Sequence, residues 1–439
     1  MPENQKQGEV MWPRLVANKL LRRPLCCNSF VMDFPSTEML LEVAGLDDPI
    51  RPKRLSKDQT DTQKLFVSTW NVGGIPPTDD LNLEDWLDTK NSSYDIYVLG
   101  FQEIVPLSAK NILGPEKSRI SMKWNSLIRA TLNNSPSNAQ RGQDSKLGEM
   151  QKVYPVKQGS SKESIVQDFR CIVSKQMVGI LVSVWVRGDL RRYIRHPSVS
   201  CIGCGIMGCL GNKGAVSVRF FLRETSFCFV CCHLASGGKE GDEVHRNSDA
   251  MEILSRTSFP RGPSLDLPQK ILDHDRVILL GDLNYRISLP EAKTRTIVEQ
   301  KEWNILLEKD QLRVEVSEGR ALEGWHEGEI SFSPTYKYYP NSDTYYGCMH
   351  GKKGEKRRAP AWCDRILWHG KGLKQNLYDR CEYRLSDHRP VRALFSAEVG
   401  VPTSCNSSLR SLFLSDRFDP VTSHIELFSN EDSNTSSGR

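Results

Sequence analysis

Seven short runs of β-branched and aromatic residues fill the middle of this chain: "KLFVSTWNVGG", "YDIYVLGFQEI", "MVGILVSVWVR", "GAVSVRFFL", "FCFVCCHL", "RVILLGDLNYRI" and "RPVRALF". Several stay apolar over successive positions, as strands covered on both faces do. Between some of them, 241–257 and 294–312 space their apolar residues three and four apart and are expected to be helical. Buried strands mixed with helices call for a layered α/β domain with sheet at its centre. At 439 residues the chain could hold two ordinary domains, but the strands follow one another from residue 64 onward and favour one large domain over 61–400.

The flanks read differently. Residues 1–60 are an extension with a basic, mildly amphipathic stretch, "RLVANKLLRRPLCC", and no catalytic cue. Residues from about 106 to 168 are polar and poor in large apolar side chains, which suggests a surface insertion, and the serine-rich tail 401–439 is expected to carry little structure. The opening "MPENQKQGEVMW" lacks the apolar core of a secretory signal, so the expected compartment is the reducing cytoplasm. There the thirteen cysteines would serve mostly as core thiols. Two C-x-x-C pairs, Cys201 with Cys204 and Cys228 with Cys231, raise zinc, but the second pair lies in a strand and would point to opposite faces. Net charge is only +5, yet Lys352, Lys353, Lys356, Arg357 and Arg358 crowd one loop, which suits an anionic partner.

Chemistry gathers where the strands stop. "VILLG" empties into Asp282 and Asn284, and the glycine allows a sharp turn at the strand end. Spaced two apart, the two residues share a face if the backbone stays extended. Comparable positions hold Asn71, Glu103 and His233, and later segments bring Asp364, Asp387 and His388. Singly, each is a common turn former or solvated rim charge. Together they supply hard oxygen ligands for magnesium, a base to prepare water, and donors for a phosphoryl oxyanion. "GCLGNKGA" is glycine-rich but lacks the ending of a P-loop and precedes a strand, which argues against nucleotide binding through it.

The set "WNVGG", "FQEIVPL", "GNKGAVSVRF", "CHLASGGKEGDEVHRN", "GDLNYRI", "PTYKYY", "RAPAWCDRIL" and "SDHRPV" resembles the inositol polyphosphate 5-phosphatases, from about residue 64 to 397, and the polar insertion and long basic loop resemble the plant type I branch. The resemblance implies the endonuclease/exonuclease/phosphatase fold, a four-layer α/β/β/α sandwich of two mixed sheets. It implies Mg2+ at Glu103 with Asn71 beside it, and Asp282 orienting and deprotonating the attacking water. Asn284 and His233 would hold phosphoryl oxygens. His388, oriented by Asp364, would meet the developing charge, with Asp387 completing the metal surroundings. Tyr336, Lys337, Lys356 and Arg358 would grip the 4-phosphate beside the scissile 5-phosphate. The expected substrates are soluble inositol polyphosphates, phosphoinositide lipids, or both. Peripheral contact with anionic membrane is an open alternative to a purely cytoplasmic location. A nuclease of the same fold would need basic residues tracking a nucleic-acid backbone, whereas here they concentrate by the site, so no nucleic-acid partner is expected. A silent phosphoinositide-binding protein would be expected to lack Glu103 or Asp282, and both are present.

Overall fold

The structure is a computed structural model that describes residues 30–33, 60–90, 93–116, 118–133, 168–205, 208, 210–261, 267–347 and 358–401. Its described strands are β1 (Thr60–Asn71), β2 (Ile96–Gln102), β3 (Phe169–Met177), β4 (Ile180–Arg187), β5 (Ile194–Gly203), β6 (Gly214–Leu222), β7 (Thr225–His233), β8 (Arg276–Asp282), β9 (His326–Glu327), β10 (Asp364–His369), β11 (Leu373–Arg380) and β12 (Val391–Gly400). They form two six-stranded sheets, ordered β11-β12-β1-β2-β4-β3 and β5-β6-β7-β8-β10-β9. Only the central pairs β1/β2 and β7/β8 run parallel, so both sheets are mixed.

Period-2 alternation explains why the strands read as unbroken apolar runs. Leu65 and Val67 of β1 enter the core between the sheets with Phe229 and Cys231 of β7 and Ile278 and Leu280 of β8. Phe66 and Trp70 face outward, into an aromatic layer with Trp86 and with Trp124 and Ile128 of helix α1 (Ser118–Asn133). On the far side Cys228 and Val230 of β7 meet Ala250 and Ile253 of helix α2 (Asp242–Arg256). The result is the expected α/β/β/α sandwich, with its deepest apolar core between the sheets. Cys228 and Cys231 do lie in different layers, as a strand pair must.

Three expectations need correction. The stretch 106–168 is not a surface insertion throughout: α1 buries Trp124, Ile128 and Leu132 against the first sheet, and sparse apolar residues suffice because they fall on one face. The helix expected over 294–312 is broken. Helix α3 (Glu291–Gln300) stops at Lys301, whose φ of 58° is left-handed, and separate turns follow at Trp303–Leu307 and Gln311–Ser317. Gly281 is not a turn after the strand but a member of β8, paired with Cys232, with φ +154°; a Cβ there would stand 2.1 Å from the Cys232 carbonyl oxygen.

Candidate active site

Register builds the site. The parallel pairing of β7 with β8 sets His233 opposite Asp282, and the antiparallel pairing of β8 with β10 sets Asp282 opposite Asp364. Three polar residues therefore stand side by side at one end of the second sheet. In the first sheet β1 ends at Asn71, opposite Gln102, and Glu103 follows at once. His388 lies three residues before β12 and bridges to Tyr336. The cleft is where these ends of the two sheets meet.

Asp282 is the hub. It is buried, and its Oδ2 accepts from Asn71 Nδ2 at 2.9 Å and lies 3.3 Å from His233 Nε2. Its Oδ1 accepts the Asn284 N–H at 3.1 Å. Burial alone would push this carboxyl up, but the hydrogen bond and charge of His233 and the charges of His388 and Lys213 outweigh it and hold Asp282 well below the usual carboxylate range. The extended backbone that would put Asp282 and Asn284 on one face does not persist, because Asn284 is left-handed at φ 58°. The two are joined instead by that tight local hydrogen bond, while Asn284 Nδ2 donates to the Leu234 carbonyl at 3.1 Å and Asn284 Oδ1 accepts from Arg286 at 2.7 Å. Glu103 is also left-handed, at φ 54°, and such positions in non-glycine residues concentrate at functional sites.

A second buried unit sits beside the first. His388 Nδ1 meets Asp364 Oδ2 at 2.8 Å, and Thr335 donates to the same oxygen at 2.7 Å. Burial would lower the His388 imidazole, but Asp364 overcomes it and raises it to about 9, so the ring is cationic at neutral pH. Asp364 itself is pushed up by burial, which its histidine only partly offsets. Ligand atoms of Asp282, Asp364 and His388 come within 4.8 Å of one another, a cation-sized cluster. Within this cluster His388 Nδ1 and Asp364 Oδ2 already pair with each other at 2.8 Å.

Glu103 fits a hard cation better. Its side chain remains partly exposed to the cleft, with Oε1 3.8 Å from His233 Nε2. Asn71 commits its Nδ2 to Asp282, and its Oδ1, which accepts the Gly73 N–H at 3.0 Å, is the oxygen it could lend to such an ion. Carboxylate and amide oxygens are the donor set magnesium takes.

The expected substrate-binding residues are distributed unevenly. Tyr336 packs its ring 4.6 Å from that of His388 and beneath the Arg286 guanidinium at 4.4 Å. Lys337 donates to Asp387 Oδ2 at 2.6 Å, so Asp387 is engaged with this lysine; burial would raise its carboxyl, but the charges of His388 and Lys337 together hold it low. Arg358 lies over the loop after His233, its NH1 3.2 Å from where a Cβ on Gly238 would stand. Lys356 lies outside the described residues.

Two residues without an expected role join the site. Lys213, from the glycine-rich turn before β6, puts Nζ 2.5 Å from His233 Nε2, and burial lowers it to about 8. Arg286 spans Asn284 Oδ1, the Gly237 carbonyl and Cys363 Sγ. The available signal was a cation inside a short motif next to a strand end, in "GNKG" and "GDLNYR".

Residues 68–394 match the model of endonuclease/exonuclease/phosphatase family 2. Two Arabidopsis thaliana proteins are similar over nearly the whole chain. Type IV inositol polyphosphate 5-phosphatase 9 is 61% identical, with 95% of this chain and 98% of the relative covered. Type I inositol polyphosphate 5-phosphatase 8 is 44% identical, covering 95% and 92%. Type I and type IV names thus both occur among the relatives. Among solved structures, the inositol polyphosphate 5-phosphatase domain of SPsynaptojanin, in complex with inositol (1,4)-bisphosphate and calcium, is 30% identical with a TM-score of 0.62, covering 78% of this chain and 87% of that one.

Proposed function

The chain belongs to the inositol polyphosphate 5-phosphatases, and from that premise we propose that it hydrolyses the 5-phosphate of inositol 1,4,5-trisphosphate, inositol 1,3,4,5-tetrakisphosphate and phosphatidylinositol 4,5-bisphosphate with magnesium at Glu103. The observation that carries this reading is the buried Asp282, held ionised between Asn71 of one sheet and His233 of the other.

An aspartate with so low a pKa is a weak base, and in-line phosphoryl transfer asks for little more. Its loose transition state needs the nucleophile oriented more than deprotonated, and it rewards positioning and charge neutralisation. Asp282 would accept a hydrogen bond from the attacking water and take its proton late. The Asn71 amide and the Asn284 N–H fix both carboxylate oxygens against rotation. His388, kept cationic by Asp364, would stabilise charge on a phosphoryl oxygen, and the His233 side chain at the end of β7 and the Arg286 side chain just after the neighbouring β8 would fix the group. The Glu103 carboxylate and the Asn71 amide oxygen would hold magnesium, which would supply further neutralisation of phosphoryl charge. Tyr336, Lys337, Lys356 and Arg358 would hold the neighbouring 4-phosphate, basic side chains being matched to its several charged acceptors.

The test is phosphate release from soluble inositol 1,4,5-trisphosphate and from phosphatidylinositol 4,5-bisphosphate vesicles, with magnesium and then with EDTA, beside the Asp282→Ala variant. Magnesium-dependent release that falls by about 10²–10⁴-fold in the variant is the expected result. Binding of both compounds without release from either would reduce the cleft to a recognition site.

A further inference from the structure

Two cations proposed to meet the 4-phosphate come from separate segments. Lys337 follows Tyr336, whose ring packs on His388, while Arg358 lies over Gly238 in the loop after β7. Side chains of like charge repel each other until an anion lies between them, so a site that is ready before substrate arrives has to fix them through their backbones. Both backbones lead to one residue.

That residue is Arg295 of α3. Its Nη2 donates to the Tyr346 carbonyl at 2.6 Å and to the Arg358 carbonyl at 2.8 Å, so one nitrogen holds backbone from two segments. Its Nε donates to Glu291 Oε1 at 2.8 Å, one turn earlier on the helix, which sets the plane of the guanidinium. The helix is well seated: Thr294, Ile297 and Val298 are buried, the last two in the core between the sheets.

Tyr346 passes the tie on. Its N–H donates to the Lys337 carbonyl at 2.7 Å, and its ring stands 5.2 Å from Lys337 Nζ, with the Tyr336 ring 5.5 Å away. Lys337 Nζ thus rests against two aromatic rings and on Asp387 Oδ2. Hydrogen bonds run without a break from Glu291 through Arg295 and Tyr346 to Lys337, and a second branch ends at Arg358.

We propose that Arg295 is a specificity-determining positioning residue: it ties the backbones of Tyr346 and Arg358 to α3 and preorganises Lys337 and Arg358 for the phosphate beside the scissile one, a role that rests on the proposed grip of these two cations on the 4-phosphate.

Two variants of the full chain test it. Arg295→Met keeps a long side chain that favours helix and removes every donor. Arg295→Lys keeps the charge but cannot reach Glu291 and both carbonyls in one plane. Turnover is read with magnesium on inositol 1,4,5-trisphosphate and on inositol 1,5-bisphosphate, which lacks the 4-phosphate. Binding of both compounds is read by calorimetry in the Asp282→Ala background, where turnover is suppressed. Arg295→Met should raise Kd and KM for the trisphosphate about tenfold, the cost of ordering two flexible basic side chains when substrate arrives, with kcat held within about twofold. The constants for the bisphosphate should hardly move. Arg295→Lys should lie between the parent and the methionine variant, and it carries the test by itself if the methionine variant does not fold. Parental Kd and KM for the trisphosphate, an equal loss on both compounds, or a loss of kcat at unchanged KM would overturn the proposal; the equal loss is what a merely structural arginine would give. If the Asp282→Ala chain binds the trisphosphate but the parent releases no phosphate, the catalytic reading falls and Kd still reports on Arg295. A chain that does not bind the trisphosphate overturns both.

Discussion

His388 and Asp364 behave as one unit, and pH reads it out. The imidazole is raised to about 9 against the opposing effect of burial because Asp364 is 2.8 Å away. The cation, and the activity that depends on it, should persist through neutral pH and fall as pH rises through about 9. The pair's contribution to stability has the same sign, full below the ordinary histidine value near 6.5 and lost through the raised one. Asp364→Asn removes the raising charge and leaves burial in command, so the alkaline limb of kcat/KM should move down toward or below the ordinary histidine range. An alkaline limb that stayed in place would mean another group sets it. Lys213 makes a second case at this scale. Lys213→Met removes the cation on His233 Nε2 and should cost on the order of 10²-fold in kcat, with partial recovery in Lys213→Arg. The same residue shows what a sequence hides. Asp282, Glu103 and His233 end apolar runs and can be found by that position, whereas Lys213 precedes its strand in a turn that looked like a failed P-loop, and only the pairing of Gly214 with His233 brings it to the site.

At the scale of elements, what could be read from sequence divides by burial. β1, β2, β4, β6, β7 and β8 lie inside their sheets, are covered on both faces, and announce themselves as apolar runs. β3, β5, β9 and β11 are edges. β5 carries Pro197 and a register shift between Arg195 and Ser198, and β11 is "LKQNLYDR", half exposed, so neither offers a pattern to read. The Arg365 of "WCDRIL" is a related case. It sits next to Asp364 in a motif that signals catalysis, yet it is fully buried in ion pairs with Asp310 at 2.9 Å and Glu327 at 2.6 Å and belongs to the framework. Gly281 tests an element directly. Gly281→Ala places a methyl 2.1 Å from the Cys232 carbonyl oxygen at a φ that side chains rarely adopt. The variant should melt several degrees lower and lose activity together, because β7 and β8 carry His233 and Asp282 on adjoining rungs. A variant with unaltered melting would show that the β7–β8 ladder yields more than its backbone spacing implies.

The whole molecule is organised by the gap between its sheets. Asn71 and Glu103 hang from one sheet, and His233, Asp282 and Asp364 from the other, so the 2.9 Å contact from Asn71 to Asp282 is a contact across that gap. Gly100 of β2 marks the spacing: a Cβ there would come within 2.8 Å of both Cys231 Sγ and Leu280 Cδ1 on the facing sheet. Gly100→Val should therefore wedge the sheets apart at a position two residues from Gln102, the register partner of Asn71. Gly100→Ala should be milder, because the end of the Leu280 side chain can turn aside. Trp124→Ala is the control, since it empties the outer layer under α1 and costs about 3–5 kcal/mol without touching the gap. Both the valine and the Trp124 variants should melt lower. Measured in the cold, where both are folded, only Gly100→Val should lose kcat, by an order of magnitude or more, because a displacement of about 1 Å at the reacting groups can cost 10²-fold. Equal kcat in the two variants would mean that each sheet positions its residues without the other. A loss confined to Gly100→Val would mean that the inter-sheet core, the largest apolar cluster among the described residues, also sets the distance between the water-orienting aspartate and the amide that holds it.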